Sequence, residues 1–287
     1  MKYENRVVAF IDILGFKSML DETVNKKDED LEENIDKLVA AYNEINELWK
    51  EDRNENSKLN SSRKVTIFSD SIVVSFQVSE PSQVFKTLVD IKHLVMSLVN
   101  REILCRGAIS VGKLIHTDEY IFGPALVEAY TLESKAALYP RIILDREIVK
   151  IGAENRNQVN DYFEEQNSLE MLLEKDSDGM YYIDYFFKAA MELDDVATDF
   201  PHYIETLGNI IRSGLKASSH SSKSSVRIKF LWMRERYNHM VKVVKGTISL
   251  ENTSKGVDED LVEFYSTLKQ ISPERFKHSN KGLGVSK

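Results

Sequence analysis

Two aspartates in this chain stand where an apolar strand meets a turn. Asp12 follows the apolar run at residues 7–11, and Asp70 lies at the centre of Ser69-Asp70-Ser71, between two short apolar runs. If those strands are neighbours, the two carboxylates converge on one point, as they do where a protein holds divalent cations against a nucleoside triphosphate. An aspartate beside a turn is also a common cap or Asx-turn residue, so each segment alone favours a structural role.

The order of the predicted elements favours convergence of the two aspartates. Apolar alternation and helical periodicity predict a strand at 6–13, a helix at 31–49, a hairpin at 65–76, a helix from 81, a strand at 103–116, a helix at 123–138 and a strand at 141–144. This order is that of an α+β fold, the ferredoxin-like sandwich. Strand alternation then places Asp12 and Asp70, which is at the hairpin tip, on faces that can meet.

The pattern of the chain changes after about residue 155. Residues 1–155 are predicted to form the sandwich domain, and residues 156–287 a mostly helical extension with one more strand at 180–187. Helices are predicted near 201–216 and 226–243, on either side of a serine-rich stretch. We expect this extension to pack on the first domain or on a dimer partner.

Composition narrows the class of protein. The chain has 287 residues, a net charge of −8 and no long basic run, so neither nucleic acid nor a membrane is expected as a partner. Its single cysteine, Cys105, excludes an internal disulfide or a cysteine-rich zinc site. Residues 1–6 do not resemble the start of a signal peptide, and no stretch of 18 apolar residues occurs, so a cytoplasmic location is expected.

Four segments in order resemble the class III nucleotidyl cyclases, over roughly residues 5–150. They are Phe-Ile-Asp-Ile-Leu-Gly-Phe at 10–16, the hairpin around Asp70, the strand at 106–112 and the helix that starts with Gly123. The resemblance implies that Asp12, Ile13 and Asp70 bind two Mg²⁺ or Mn²⁺ ions per active site. It also implies a phosphate cradle formed by the backbone of Ile13, Leu14, Gly15 and Phe16. The implied reaction is attack of the ribose 3′-hydroxyl on the α-phosphorus, which releases pyrophosphate and leaves a 3′,5′-cyclic nucleotide.

The chain departs from the purine cyclases at the positions that select the base and stabilise the transition state. Thr66 and Tyr120 stand at the base-binding positions, which implies a smaller base with a different hydrogen-bonding edge. Val127 and Thr131 stand at the positions of the family's asparagine and arginine, so an active enzyme needs a cation from elsewhere. The candidate catalytic cations are Lys135, one helical turn further on, and Arg141; a solvated charge or a structural ion pair is an equal alternative for each.

These departures resemble one branch of the family, the bacterial pyrimidine cyclases of the Pycsar anti-phage systems. The resemblance lies in the opening at 10–16, in the helix at 122–134 and in Tyr-Pro-Arg-Ile at 139–142. It implies a homodimer that converts UTP to cyclic UMP, or CTP to cyclic CMP, as a signal to a separate effector protein. UTP is favoured here. The alternatives are a cytidylate cyclase, a purine cyclase, and a catalytically inactive nucleotide-binding sensor with the cyclase fold.

Overall fold

The computed structural model describes residues 2–50, 61–251 and 259–272. The chain forms two compact units, Met1–Glu192 and Leu193–Lys287. The described helices and strands of the first unit are β1 (Glu4–Ile13), α1 (Phe16–Asp21), α2 (Glu32–Leu48), β2 (Lys64–Phe68), β3 (Ser71–Gln77), α3 (Gln83–Asn100), β4 (Cys105–His116), β5 (Ile121–Phe122), α4 (Pro124–Lys135), β6 (Ile142–Leu144), α5 (Arg146–Glu154), α6 (Tyr162–Met171), β7 (Leu173–Lys175) and β8 (Tyr181–Ile183). A 3₁₀ helix, Phe187–Glu192, ends this unit.

The first unit is built on one sheet with the order β2-β3-β1-β4-β6-β8-β7, and β5 pairs with the end of β4. The β4–β6 pair is parallel, whereas the other described pairs are antiparallel. The part β2-β3-β1-β4 has α1 and α2 between β1 and β2, and α3 between β3 and β4. That is the ferredoxin-like arrangement, so the α+β prediction is confirmed.

The two faces of the sheet are distinguished by strand alternation along β1. The odd-numbered residues Val7, Ala9 and Ile11 are at most 2% exposed and belong to the main apolar core. On the even-numbered face, α4 packs through Ala125 and Ala129 against a small apolar cluster that includes Val8, Val73 and Leu114. Asp12 belongs to this even-numbered face, beside the carboxyl-terminal part of α4.

The second unit is helical in its described residues. Its helices are α7 (Val196–Ala217), α8 (Ser224–Glu251) and α9 (Glu259–Thr267), with a 3₁₀ turn at Ser221–Lys223. Helices α7 and α8 pack closely, since a β-carbon at Gly214 would lie 2.3 Å from the ring of Phe230. The Asp195 side chain caps the start of α7 by accepting from the backbone amides of residues 197 and 198.

The boundary between the units differs from the predicted one at residue 155. Strand β8 continues the sheet through its pairing with β6, and the ring hydroxyl of Tyr185 donates to the Pro140 carbonyl at 2.6 Å. Residues up to Glu192 therefore complete the sheet unit, and the helical unit begins at Leu193. No helix in the described part of the chain is both long enough and apolar enough to cross a bilayer.

Candidate functional site

The sheet brings Asp12 and Asp70 together. Asp12 is the second-last residue of β1 and pairs with Ser71 of β3, so Asp70, the residue before Ser71, lies just beyond the pair. The Ile13 amide donates to the Asp70 carbonyl at 2.9 Å, which ties the end of β1 to the hairpin turn. The two carboxyl groups lie within hydrogen-bonding reach of each other. The predicted convergence of the two aspartates is therefore present in the structure.

Helix α2 holds the hairpin turn in place through one tyrosine. The Tyr42 hydroxyl donates to the Ser69 carbonyl at 2.6 Å, and its ring packs edge-on against Phe16 at 6.4 Å. Ser69 has a positive φ of 52°, a left-handed conformation that lets the chain reverse in two residues. Burial, and then the charge of Asp70, raises the pKa of Tyr42, so this donor remains protonated.

Two further charged residues, which the sequence analysis did not assign to the site, lie against Asp12. Arg106 faces Asp12 directly in the β1–β4 register, and its Nε lies 3.8 Å from Asp12 Oδ2. The same Nε lies 2.5 Å from Oε1 of Glu133, a carboxylate on α4 that is only 2% exposed. We call Asp12, Asp70, Arg106 and Glu133 the Asp12 cluster.

The Asp12 cluster raises the pKa of Asp12 when no cation is present. Burial first, and then the negative charges of Glu133 and Asp70, raise the pKa of Asp12 to about 6, and Arg106 acts in the opposite direction. Burial and the charge of Asp12 likewise raise the pKa of the neighbouring Cys105 thiol to about 12, so Cys105 stays a neutral, buried side chain. The site has an excess of negative charge, which a bound cation would offset.

The segment that follows Asp12 was predicted to cradle phosphates with four residues. The Ile13 amide donates to Asp70 and the Leu14 amide to the Leu104 carbonyl at 2.8 Å, so both donors are used inside the protein. Of the four residues in the predicted phosphate cradle, Gly15 and Phe16 therefore remain as candidate amide donors. Gly15 has a φ of 78°, a left-handed conformation in which a side chain is strained, and a β-carbon there would meet no atom within 4 Å.

The two predicted catalytic cations occupy different environments. Lys135, the last residue of α4, is exposed. It lies two residues after Glu133, and this spacing places the Lys135 side chain on the opposite side of the helix from Glu133. Arg141 is buried, and its guanidinium forms ion pairs with Asp176 and Asp178. The structure does not bring either residue into the Asp12 cluster, where Arg106 is the cation beside Asp12. Arg141 has the structural ion-pair role that was its stated alternative.

The two predicted base-binding residues are linked through a histidine. The Thr66 hydroxyl lies 2.9 Å from Nε2 of His116, a residue that is 7% exposed at the end of β4. His116 pairs with Ile121 of β5, and Tyr120 directly precedes Ile121 in a tight turn closed by the Thr117 amide on the Tyr120 carbonyl at 2.8 Å. Tyr120 is 51% exposed, so its ring is available to a ligand.

The donor set at the Asp12 cluster fits a hard divalent cation. Two adjacent carboxylates supply the oxygen ligands that Mg²⁺ and Mn²⁺ prefer. In the described part of the chain, no group of three or more histidine, cysteine, aspartate or glutamate side chains is arranged to hold a metal. The remaining ligands of an ion at Asp12 and Asp70 would thus come from backbone, substrate or water oxygens, as is usual for Mg²⁺.

Glu133 and Arg106 had a signal in the sequence that metal-ligand spacing does not reveal. Glu133 follows Ala125 and Ala129 at intervals of four, which places it on the buried face of α4. A charge on a buried helix face needs a partner of opposite charge. Arg106 is the second residue of β4, the strand that pairs with β1, so a search for that partner leads to it.

Comparison with known proteins gives a likeness in structure and none in sequence. No family model matches the sequence, and no curated protein matches it. The chain is similar in structure to a class III adenylyl cyclase-like ATP-binding protein from Pseudomonas aeruginosa, with a TM-score of 0.40 and 12% sequence identity. The similarity covers 58% of this chain and 40% of that protein, so the chain spans less than half of that protein's length.

Proposed function

We propose that this protein is a pyrimidine nucleotide cyclase that converts UTP to 3′,5′-cyclic UMP and pyrophosphate. The observation that carries the proposal is the convergence of Asp12 and Asp70 at the end of β1, inside a ferredoxin-like sheet whose segments follow the cyclase order. Bound Mg²⁺ or Mn²⁺ would supply charge neutralisation for the triphosphate and acidify the ribose 3′-hydroxyl. Asp12 and Asp70 would hold the ions.

The remaining residues of the proposed site bind and orient the nucleotide. The Gly15 and Phe16 amides donate to phosphate oxygens, and Thr66 and Tyr120 contact the base. Arg106 is a positioning residue, because its guanidinium lies near both Asp12 and Glu133 and offsets the repulsion between the two carboxylates. Glu133 in turn holds Arg106. In this proposal, loop and strand-end residues contact the substrate, and residues of β4 and α4 hold them in position.

We propose that the active form is a homodimer. Helix α4 presents Val127 and Tyr130, which are 64% and 55% exposed, and the end of β2 presents Phe68, which is 78% exposed. Exposed apolar side chains on the site's side of the sheet suit a symmetric interface. Activity per subunit should fall on dilution in step with the dimer fraction from sedimentation, and Val127→Asp should shift both curves to higher protein concentration. Constant specific activity across a monomer-forming range contradicts the dimer requirement.

The first test of the proposed function is product identification. Purified protein is incubated with Mn²⁺ and each of ATP, GTP, CTP and UTP, and the products are identified by chromatography and mass spectrometry. Cyclic UMP is expected. Cyclic CMP, or a cyclic purine nucleotide, would keep the cyclase chemistry and reject UTP as the substrate.

The second test concerns the two aspartates. Asp12→Asn and Asp70→Asn should each lower kcat by at least about a hundredfold, because each removes a charged oxygen ligand from a site whose ions stabilise transition-state charge by several kcal/mol. Asp36→Asn, an exposed aspartate on α2, is the matched control and should retain activity. Activity in Asp12→Asn or Asp70→Asn equal to that of Asp36→Asn would reject the metal assignment.

A second candidate function is favoured by Val127 and Thr131, which provide neither an amide nor a cation at the family's transition-state positions. A protein that binds nucleotides without turnover would act as a sensor. Nucleotide binding in the presence of Mn²⁺, measured by calorimetry, with no cyclic product would support it.

For the active enzyme, we propose that the cyclic nucleotide signals infection by phage to a separate effector. Accumulation of cyclic UMP in infected cells that carry the wild-type chain, but not Asp70→Asn, tests that role.

A further inference from the structure

Four polar side chains form a continuous hydrogen-bonded chain across the even-numbered face of the sheet. Arg6 Nε lies 2.9 Å from Ser75 Oγ, Ser75 Oγ lies 2.8 Å from His116 Nδ1, and His116 Nε2 lies 2.9 Å from Thr66 Oγ1. Arg6, Ser75 and His116 are 3%, 0% and 7% exposed. We call these four residues the Arg6 relay.

The direction of the hydrogen bonds in the Arg6 relay follows from its first member. An arginine guanidinium can only donate, so Ser75 Oγ accepts from Arg6 Nε. We assign the hydroxyl hydrogen of Ser75 to His116 Nδ1, because Ser75 is fully buried and its hydroxyl has no other acceptor among its described contacts. A neutral imidazole that accepts at Nδ1 carries its hydrogen on Nε2, so Nε2 donates to Thr66 Oγ1.

The surroundings of His116 keep its ring neutral. Burial first, and then the positive charges of Arg6 and Lys64, lower the pKa of His116 to about 4, and Asp118 opposes them weakly. Asp118 is itself paired with Lys64, whose Nζ lies 2.8 Å from Asp118 Oδ1. A neutral ring has one donor and one acceptor, and the tautomer with its hydrogen on Nε2 is the one that gives the buried Ser75 hydroxyl an acceptor at Nδ1.

Thr66, the last residue of the Arg6 relay, lies about as far from Asp12 as the base of a nucleotide lies from its phosphates. Thr66 pairs with Val73, and Val73 pairs with Phe10, two residues before Asp12 on the same face. From Asp12, Thr66 is therefore displaced by two strand spacings across the sheet, about 10 Å, and by two residues along the strands, about 7 Å. A nucleotide whose phosphates lie at Asp12 can place its base at Thr66.

We infer that the Arg6 relay presents the hydroxyl hydrogen of Thr66 to the nucleobase and so selects a keto edge over an amino edge. Because Thr66 Oγ1 accepts from His116, its own hydrogen is left to donate outward. The 4-carbonyl of uracil accepts such a hydrogen bond, whereas the 4-amino group of cytosine only donates and would have to use the second lone pair of Thr66 Oγ1 with the hydroxyl hydrogen turned away. The inference rests on the proposed function, which puts a pyrimidine base beside Thr66.

The test compares UTP with CTP in matched variants. Values of kcat/KM and calorimetric affinities in the presence of Mn²⁺ are measured for the wild type, Thr66→Ser, Thr66→Val and Ser75→Ala. The wild type should prefer UTP by about tenfold or more, the typical effect of a site donor left opposite another donor. Thr66→Ser keeps the hydroxyl and should keep the preference. Thr66→Val removes the donor and Ser75→Ala removes the link to Arg6, so both should bring the ratio towards 1.

The outcomes separate this inference from the proposed function. Turnover of CTP equal to or faster than UTP in the wild type, or an undiminished UTP preference in Thr66→Val, overturns the inference and leaves the cyclase standing. No cyclic product from any nucleotide, with tighter binding of UTP that Thr66→Val abolishes, overturns the cyclase and supports the inference. Melting temperatures show which variants fold. If Thr66→Val does not fold, Ser75→Ala provides the test.

Discussion

Glu133 is a carboxylate buried on α4, and a buried charge is costly unless it is paired. Its partner is Arg106, which is partly exposed and also faces Asp12. We expect Glu133→Gln to lower the free energy of unfolding by about 2 kcal/mol, because Arg106 keeps its charge and loses its nearest partner. The proposed cyclase activity should fall as well, since Arg106 is then drawn to Asp12. Urea unfolding and kcat/KM for UTP measure the two effects.

Glu128→Gln is the matched control on the same helix. Glu128 is exposed, so its substitution should change the unfolding free energy by no more than about 0.5 kcal/mol. Equal stability of Glu133→Gln and Glu128→Gln would contradict the assignment of Glu133 as a buried member of the Asp12 cluster.

His116 should make folding stability depend on pH. Its pKa is about 4 in the folded protein, against 6.5 for an ordinary solvent-exposed histidine. Below pH 6.5 the unfolded chain binds a proton that the folded chain excludes, so the stabilisation is complete above pH 6.5 and is lost as the pH falls towards 4. At about 1.4 kcal/mol per pKa unit, the full loss is about 3 kcal/mol.

The pH effect is isolated by comparison with His116→Gln. The unfolding free energy of the wild type should fall more steeply between pH 7 and pH 4.5 than that of His116→Gln, by about 2–3 kcal/mol. Parallel pH profiles for the two proteins would show that His116 titrates normally and is not held neutral.

At the scale of elements, the paired strands β1 and β4 hold Asp12 and Arg106 in position, and Gly107 allows the backbones of these two strands to approach closely. A β-carbon at Gly107 would lie 2.5 Å from the Phe10 carbonyl oxygen and 3.2 Å from the Ile11 α-carbon. Both are backbone atoms of β1 and cannot rotate away. We expect Gly107→Ala to destabilise the fold by about 1–3 kcal/mol or more and to shift Arg106 relative to Asp12, with a loss of activity.

Gly246 in α8 offers the opposite case, since a β-carbon there meets nothing within 4 Å. Gly246→Ala should stabilise its helix by up to about 1 kcal/mol. Thermal melts of the two variants test the contrast, and a neutral Gly107→Ala would mean that β1 and β4 can separate without cost.

The elements that sequence predicts well are those with a clear apolar period. The hairpin predicted at 65–76 corresponds to β2 and β3, and the helix predicted at 31–49 corresponds to α2. Helix α6 was not predicted, because it buries only Glu165 and Leu169 and so shows no apolar stripe. Strand β7 is three residues long and two of them are exposed, which leaves no alternation to detect.

The same limit applies to the site. Asp12 and Asp70 could be predicted because Asp12 lies at the end of a strand and Asp70 in the turn just after one, where sequence position and spatial position correspond. Glu133 of α4 meets Arg106 only after α4 packs on the sheet, and His116 of β4 meets Thr66 of β2 only after the sheet has formed. Contacts that depend on such tertiary packing have no local period in the sequence.

At the scale of the whole molecule, the first unit extends beyond the predicted boundary at residue 155. Ending the chain there would remove β8 from beside β6 and leave Arg141, which is 1% exposed, without Asp176 and Asp178. We expect a fragment of residues 1–155 to be unfolded or aggregated and a fragment of residues 1–192 to fold. Circular dichroism and cooperative thermal melts of the two fragments distinguish these outcomes.

Residues 1–155 folding as stably as residues 1–192 would restore the earlier boundary. In that case, the strands after β6 would be an accessory to the sheet. The expected failure has a direct cause, because an unpaired buried guanidinium costs several kcal/mol.

The ion pairs of Arg141 also bear on how this sheet can evolve. Loss of the arginine alone leaves Asp176 buried without its countercharge. Among the described ion pairs, those of Arg141 are the only ones that join the residues before β6 to the turn before β8, and loss of either aspartate weakens this link. Substitutions at these positions should therefore be tolerated as a set rather than singly. In an alignment of related chains, positions 141, 176 and 178 are expected to covary, and recombination between residues 145 and 172 should be selected against.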